Sequence, residues 1–256
     1  LLAACQKAPS VQRLVVKSTA GVYGSSPRDP AMFTEDMDAK VLPRGGWAKD
    51  SVEVEGYVRG FSRRRPDVDV VVLRFANVLG PSVRTAMTDY FSMPVVPIPF
   101  GFDARLQFVH EDDLVAAMVV ATTGDATGAI NVAGDGVITA SQAANLAGRP
   151  FVTVPQMTTG AVVGWARRLG LIGYSPDQMQ LLAYGRGIDT TRMREVLGFE
   201  PAYTTREAFE DFAAHVVRPV QRAALLAGAT MTTTQAVVGA ATSTVRRRLG
   251  LRGSEA

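Results

Sequence analysis

Two short stretches place polar side chains where an apolar run ends. In KSTAGVYGSS, Ser18 and Thr19 close the run RLVV, and in LRFANVLGP, Asn77 follows VVVLRF. Hydroxyl and amide groups at the carboxyl ends of buried strands stand where open α/β sheets bind ligands, and there they can donate or accept hydrogen bonds. Each also has a plainer use, since hydroxyls cap loops and an Asn close to a Gly makes a turn. A shared sheet edge would let both face one crevice. A third stretch, RGGWAKDSVEVEG, begins with two glycines and then settles into a helical pattern that carries Lys49, Glu53 and Glu55. Its aromatic residue, Trp47, can donate a hydrogen bond through the indole N–H but has no usable acid–base equilibrium.

The elements that must position these groups alternate. Leu1 to Ala8 reads as the last turns of a helix, and the β-branched run Arg13–Thr19 as a buried parallel strand. A polar loop, Ser25 to Gly46, leads to a helix from Ala48 to about Arg65, which Pro66 closes, and Asp67–Phe75 is a second buried strand. Strand, helix and strand at this spacing predict a crossover unit of a parallel sheet. Three prolines make Met93–Phe100 extended. Further on the pattern predicts a helix with an acidic start at Asp112–Thr122, a strand at Ala129–Ala133 and a helix at Thr139–Ala147. Helices then follow at Gly160–Leu169, Asp177–Tyr184, Thr190–Leu197 and Thr205–Val217, and the segment from Gln221 reads as a loosely attached, weakly helical tail.

Composition narrows the chemistry. With 256 residues, 47% of them hydrophobic and 20% charged, the chain can bury a full core. One cysteine and two histidines far apart, His110 and His215, argue against disulfides and a metal site and suit a reducing cytoplasm. The basic runs Arg63–Arg65 and Arg246–Arg248 read as solvated helix ends rather than a nucleic-acid surface. No stretch has the ~20 apolar residues of a membrane span. The opening LLAACQKAPS lacks an initiator Met, and the expectation is an N-terminally truncated chain.

KSTAGVYGSS resembles the SSxxVYG motif of the extended short-chain dehydrogenase/reductase family, LRFANVLGP its LRxxNxxGP strand, and ARLQFVHEDDL its RxxFVHVDD segment. GAINVAGDG and DTTRMREVLGFEPAYTTREAF resemble later landmarks of that family, in the same order, so that the resemblance extends from Leu1 to about His215. Within the family the chain is most similar to actinobacterial UDP-glucose 4-epimerase-like proteins of the NAD-dependent epimerase/dehydratase group.

The resemblance implies a Rossmann-like parallel sheet, its first half missing, with a smaller, mostly helical C-terminal substrate domain. Residues 1–80 would be the back half of the NAD(P)-binding domain, and 81–218 the substrate-binding region, with about 112–134 packing back on the sheet; the tail would occupy 219–256. It implies reversible hydride transfer between a nucleotide sugar and NAD or NADP, in the cytoplasm, and a homodimer is compatible with it. Thr19 falls on the catalytic Ser/Thr position, with Ser18, Phe75 and Ala76 beside the cofactor. Asn77 falls on a sugar-nucleotide contact, Arg105 on an arginine that meets the phosphates, and Arg192 on one near the nucleotide.

Two departures stand out. The family carries its proton on a tyrosine followed four residues later by a lysine, with a glutamate four further on. That lysine lowers the phenol pKa. Anchoring on Glu55 puts Trp47 at the tyrosine and Ser51 at the lysine; anchoring on Glu53 puts Gly45 and Lys49 there. None of the six tyrosines is followed by a lysine four residues on. The second departure is the missing glycine-rich turn that would hold a pyrophosphate, for which GAVVGWARRLG has the wrong spacing. The alternative reading is therefore a non-catalytic dinucleotide or nucleotide-sugar binding protein of the same fold.

Overall fold

The computed structural model describes residues 1–43, 46–154 and 176–217. Helix α1 (Leu2–Lys7) leads to strand β1 (Arg13–Thr19), a single 3-10 turn (Ala20–Tyr23), and helix α2 (Gly46–Arg64). Strand β2 (Asp69–Phe75) follows and lies parallel to β1 with Thr19 opposite Phe75. On the far side of β2 runs β7 (Gly128–Val132), also parallel, with Val132 opposite Phe75. The three-stranded order β1-β2-β7 makes this an α/β fold with a Rossmann-like parallel sheet. All three carboxyl ends lie at one edge.

The patterns explain the packing. Helix α2 buries Ser51, Glu55, Val58 and Phe61, which recur every three or four residues and so form one stripe. The lower half of that stripe is apolar: Phe61 is fully buried against Leu14 and Val68, with Leu2 and Cys5 of α1 beside them. Its upper half is polar. On the opposite face, helix α4 (Glu111–Thr123) sets Ala117 and Ala121 against Val71, Leu73 and Ile130. Those small side chains let the helix lie close to the sheet.

After β2 the chain continues through β3 (Asn77–Leu79), which pairs in parallel with β6 (Phe108–His110), and through helix α3 (Ala86–Phe91). Strand β4 (Val96–Pro99) pairs with β9 (Phe151–Val154), and β5 (Arg105–Leu106) runs antiparallel to β8 (Ile138–Thr139). Helix α5 (Ala140–Leu146) and helices at Pro176–Tyr184, Thr191–Glu195 and Thr205–Phe212 follow, the last running into a π-helical turn at Ala213–Val217. A second core joins Leu79, Tyr90, Phe91, Phe108, Phe209 and Phe212. The short strands β3, β5, β6 and β8 and the helix α3 give too little periodicity to predict. The expected helix at Gly160–Leu169 and the tail from Gln221 lie outside the described residues. No helix among the described residues is long and apolar enough to cross a membrane.

Candidate functional site

Where the sheet ends, Thr19, Ala20, Phe75, Ala76 and Asn77 line one narrow cleft, closed on its other side by Gln107, Arg186 and Ile188. The parallel register brings them together, since it ends β1 and β2 side by side at Thr19 and Phe75. The Thr19 Oγ1 accepts the Gly21 N–H at 3.1 Å, which fixes the hydroxyl at the strand end. Gln107 braces the wall: its amide donates to the Gly134 carbonyl and accepts the Ile188 N–H at 2.8 Å.

Arg186 also lines a second cavity, of about 310 Å³, whose walls include Asp29, Phe102, Arg105 and Tyr184. Arg186 stands between the two spaces. Its Nε donates to the Gly24 carbonyl at 2.7 Å and its Nη2 to the Ser25 hydroxyl at 2.9 Å. Gly185 makes this placement possible: it sits at φ +73°, and a Cβ there would fall 2.3 Å from the Arg105 carbonyl oxygen. Any larger residue would push Arg186 away from its neighbours. Arg105 itself is exposed. The obvious surface partners are taken, because Asp103 accepts from Ser141 and Asp113 is buried, accepting the Ala202 and Tyr203 N–H groups. Among the described residues no carboxylate pairs with Arg105.

At the start of α2, Trp47 is 67% exposed, and the ammonium of Lys17 lies 5.5 Å from the centroid of its ring. Ser51 is buried and donates to the Trp47 carbonyl at 2.8 Å, a local helix contact. Lys49 points into solvent and pairs with Glu53 at 3.6 Å, more than half exposed on both sides. The cation beside Trp47 is therefore Lys17, from the strand, and not Lys49.

Behind the cleft lies a buried polar network. Glu55 accepts the Ser18 hydroxyl at 2.6 Å and the Arg74 guanidinium at 2.7 Å. Arg74 also donates to the Tyr23 hydroxyl, which in turn donates to Asn131 Oδ1, each at 2.8 Å. Burial disfavours the Arg74 charge, but its interactions with Glu55 and Tyr23 together outweigh that and raise its pKa. Burial likewise raises the Tyr23 pKa, against the lowering effect of Arg74, so this phenol stays protonated at neutral pH and carries no proton traffic.

The structure thus brings Thr19, Phe75, Ala76 and Asn77 to one cleft, with Arg105 in a second cavity that shares Arg186 with it, and it places three other candidates elsewhere. Ser18 faces away from the cleft, because side chains alternate along a strand and its neighbour Thr19 takes the cleft side; its hydroxyl serves Glu55. Arg192 lies at the amino end of β7, where it donates to the Ala129 carbonyl at 3.3 Å, at the opposite end of the sheet from the cleft. Lys49 is on the solvent side of α2. Sequence reasoning missed Arg186 and Lys17. The glycines on both sides of Arg186 were its signal; Lys17 gave none, being one residue outside the matched motif. His110, one of the two histidines, is structural: it caps α4 by accepting the Asp112 N–H, and its ring stacks on Tyr203.

A dinucleotide pyrophosphate is held by a glycine-rich turn between a strand and the start of a helix. Among the described residues β1 runs instead into the 3-10 turn, β2 into β3, and β6 directly into α4 without a glycine. These residues do not form a pyrophosphate cradle.

Comparison with known proteins gives a consistent picture. Residues 1–133 match the family described as NAD dependent epimerase/dehydratase. The Mycobacterium tuberculosis protein Rv0501 is 48% identical over 212 residues, which cover 83% of this chain and 56% of that one. A 3-diazoavenalumate denitrifying reductase from Streptomyces is 29% identical over 77% of this chain and 63% of its own. The chain spans little more than half the length of the M. tuberculosis relative. Among solved structures, a Thermotoga maritima UDP-glucose 4-epimerase with UDP-glucose superposes with a TM-score of 0.62 at 20% identity, covering 86% of this chain and 68% of that one. A Bacillus anthracis dTDP-glucose 4,6-dehydratase in complex with NAD gives 0.63 at 17% identity, over 86% and 66%. At those identities the likeness is one of fold.

Proposed function

This chain belongs to the NAD-dependent epimerase/dehydratase family, and on that footing we propose that its crevice holds a nucleotide sugar. The diphosphate would meet Arg105, and the sugar ring would lie toward Thr19 and Asn77. The observation that carries this reading is Arg105: a guanidinium without a carboxylate partner among the described residues, in a cavity that shares Arg186 with the cleft at the strand ends. Guanidinium geometry matches phosphate oxygens with paired donors. The UDP-glucose bound by the Thermotoga relative supports the ligand class.

Hydride exchange with a sugar carbon is the chemistry that NAD supplies in this family, and the NAD bound by the dehydratase relative favours NAD over NADP. This chain's own residues hold the sugar and decide the fate of its proton. Thr19 presents a neutral hydroxyl that can hydrogen-bond a sugar oxygen but does not ionise near neutral pH. The Trp47 indole N–H can donate a hydrogen bond but has no usable acid–base equilibrium. The activity proposed for the full-length protein is accordingly slow hydride exchange on a bound nucleotide sugar. A second reading, a binding protein without turnover, is favoured by the same Trp47 and by Ser51, whose hydroxyl is spent on the helix backbone.

Arg105→Ala in the full-length protein is expected to weaken UDP-glucose binding by about 1.5–3 kcal/mol, the range for a hydrogen bond to a charged group, or roughly 10–150-fold in Kd. Isothermal titration measures it directly. An unchanged Kd would make Arg105 an ordinary surface residue and remove the phosphate end of the site.

A further inference from the structure

One cation belongs to both spaces at the sheet edge. Arg186 lines the cleft with Thr19 and Asn77, and it lines the second cavity with Arg105. Its backbone is clamped on each side. The Arg186 N–H donates to the Arg105 carbonyl at 2.9 Å, and the Gly187 carbonyl accepts the Phe33 N–H at 2.9 Å. A Cβ on Gly187 would fall 2.9 Å from the Ala31 carbonyl oxygen, so the chain cannot back away on that side. The side chain is aimed by the bonds of Nε and Nη2 to the Gly24 carbonyl and the Ser25 hydroxyl. Both acceptors are neutral, so these bonds fix the guanidinium without cancelling its charge. None of the other described residues lining the cleft is charged, and Arg186 gives it a positive wall. In the second cavity both carboxylates serve other groups: Asp29 accepts the Ser26 N–H at 2.6 Å and Asp103 the Ser141 N–H at 2.9 Å.

We propose that the sugar held here is a uronic acid, and that Arg186 is the specificity-determining residue that binds its carboxylate. This rests on the nucleotide-sugar reading, which puts the diphosphate at Arg105 and the ring toward Thr19 and Asn77. In a hexuronic acid the carboxylate sits on the ring carbon next to the ring oxygen, across that oxygen from the carbon that bears the diphosphate. It therefore lies between the phosphate end and the outer hydroxyls, at the boundary where Arg186 stands. A neutral hexose is held as well by the Thr19 hydroxyl and the Asn77 amide alone. A half-buried guanidinium beside it loses hydration that a hydroxyl repays weakly, whereas a carboxylate repays it with charge-assisted bonds. The two arginines then read two anions of one molecule, Arg105 the diphosphate and Arg186 the sugar acid.

The test measures the Kd of the full-length protein and of its Arg186→Gln and Arg186→Lys variants for UDP-glucuronic acid, UDP-glucose and UDP, with thermal melting as the control for folding. The unmodified protein should bind UDP-glucuronic acid at least ~10-fold more tightly than UDP-glucose, the lower end of the gain from a charged hydrogen bond. Arg186→Gln keeps an amide that can donate to the Gly24 carbonyl but loses the charge, and it should bring that ratio below about threefold. Arg186→Lys, a point charge without paired donors, should fall between. A ratio near one in the unmodified protein would overturn the proposal and leave the nucleotide-sugar reading intact. A ratio that survives in a folded Arg186→Gln would overturn it too, and a parallel loss of UDP affinity would then make Arg186 a diphosphate contact. If Arg186→Gln does not fold, Arg186→Lys decides: a reduced ratio sustains the proposal and an unchanged one overturns it. A full-length protein that binds none of the three compounds would refute the nucleotide-sugar reading and this proposal with it.

Discussion

Glu55→Ala is expected to lower the unfolding free energy by about 3–5 kcal/mol, the loss found when one partner of a buried ion pair is removed. The side chains of Glu55 and Arg74 are only 8% and 10% exposed, so the substitution strands a guanidinium in the interior. Arg74 cannot escape by losing its proton, because a guanidinium stays charged in proteins. The Ser18 hydroxyl loses its acceptor at the same time. Replacing both partners with apolar residues, Glu55→Leu with Arg74→Met, should cost much less than Glu55→Ala, since no buried charge is left behind. Urea unfolding of the full-length protein gives both values. A Glu55→Ala loss below about 1 kcal/mol would show that water reaches the pair and that the network does not organise the sheet edge.

The two long parallel strands were legible because Val15, Val16, Val70, Val71 and Val72 form unbroken β-branched runs, and helix α2 because Val58 and Phe61 recur at helical spacing before Pro66. Their order was enough to place Thr19, Phe75, Ala76 and Asn77 at one sheet edge, as the structure finds them. What the sequence could not settle is which way individual side chains turn. Ser18 and Thr19 are adjacent hydroxyls of nearly equal promise, yet strand alternation gives one to Glu55 and the other to the cleft. Arg192 matched a family position, but where its side chain reaches is a tertiary fact, and it reaches the amino end of β7. Arg186 and Asp29 come close only because the chain returns to the sheet edge some 160 residues later, a contact no local pattern encodes. Glu55 served as the anchor for aligning the proton motif, while its partnership with Arg74, 19 residues away, left no trace in spacing.

Trp47→Tyr is expected to raise turnover by about 10²–10⁴-fold, the contribution of a positioned general acid–base group. The resemblance puts Trp47 where the family has its phenol, and the structure puts the Lys17 ammonium 5.5 Å from the centre of that ring. A nearby cation favours the phenolate and lowers its pKa toward neutrality. Lys17 would therefore do for the new phenol what the absent lysine does in the family. For that reason Trp47→Tyr alone should recover most of the gain, and adding Ser51→Lys, at a buried position, should add little. Lys17→Met in the Trp47→Tyr background should move the pH–rate profile to higher pH, since the phenol then regains a pKa near its ordinary value of about 10. If Ser51→Lys proves essential and Lys17→Met is silent, the cation comes from the helix as in the family, and the role given to Lys17 is wrong.

The most direct measurement is the rate at which the full-length protein interconverts UDP-glucose and UDP-galactose with NAD present, compared with its Trp47→Tyr variant under saturating ligand. Saturation separates the proton step from binding. The prediction is that the unmodified protein binds UDP-glucose but turns it over about 10²–10⁴-fold more slowly than the variant. Equal rates, with the unmodified protein as fast as Trp47→Tyr, would contradict the account and show that another group carries the proton.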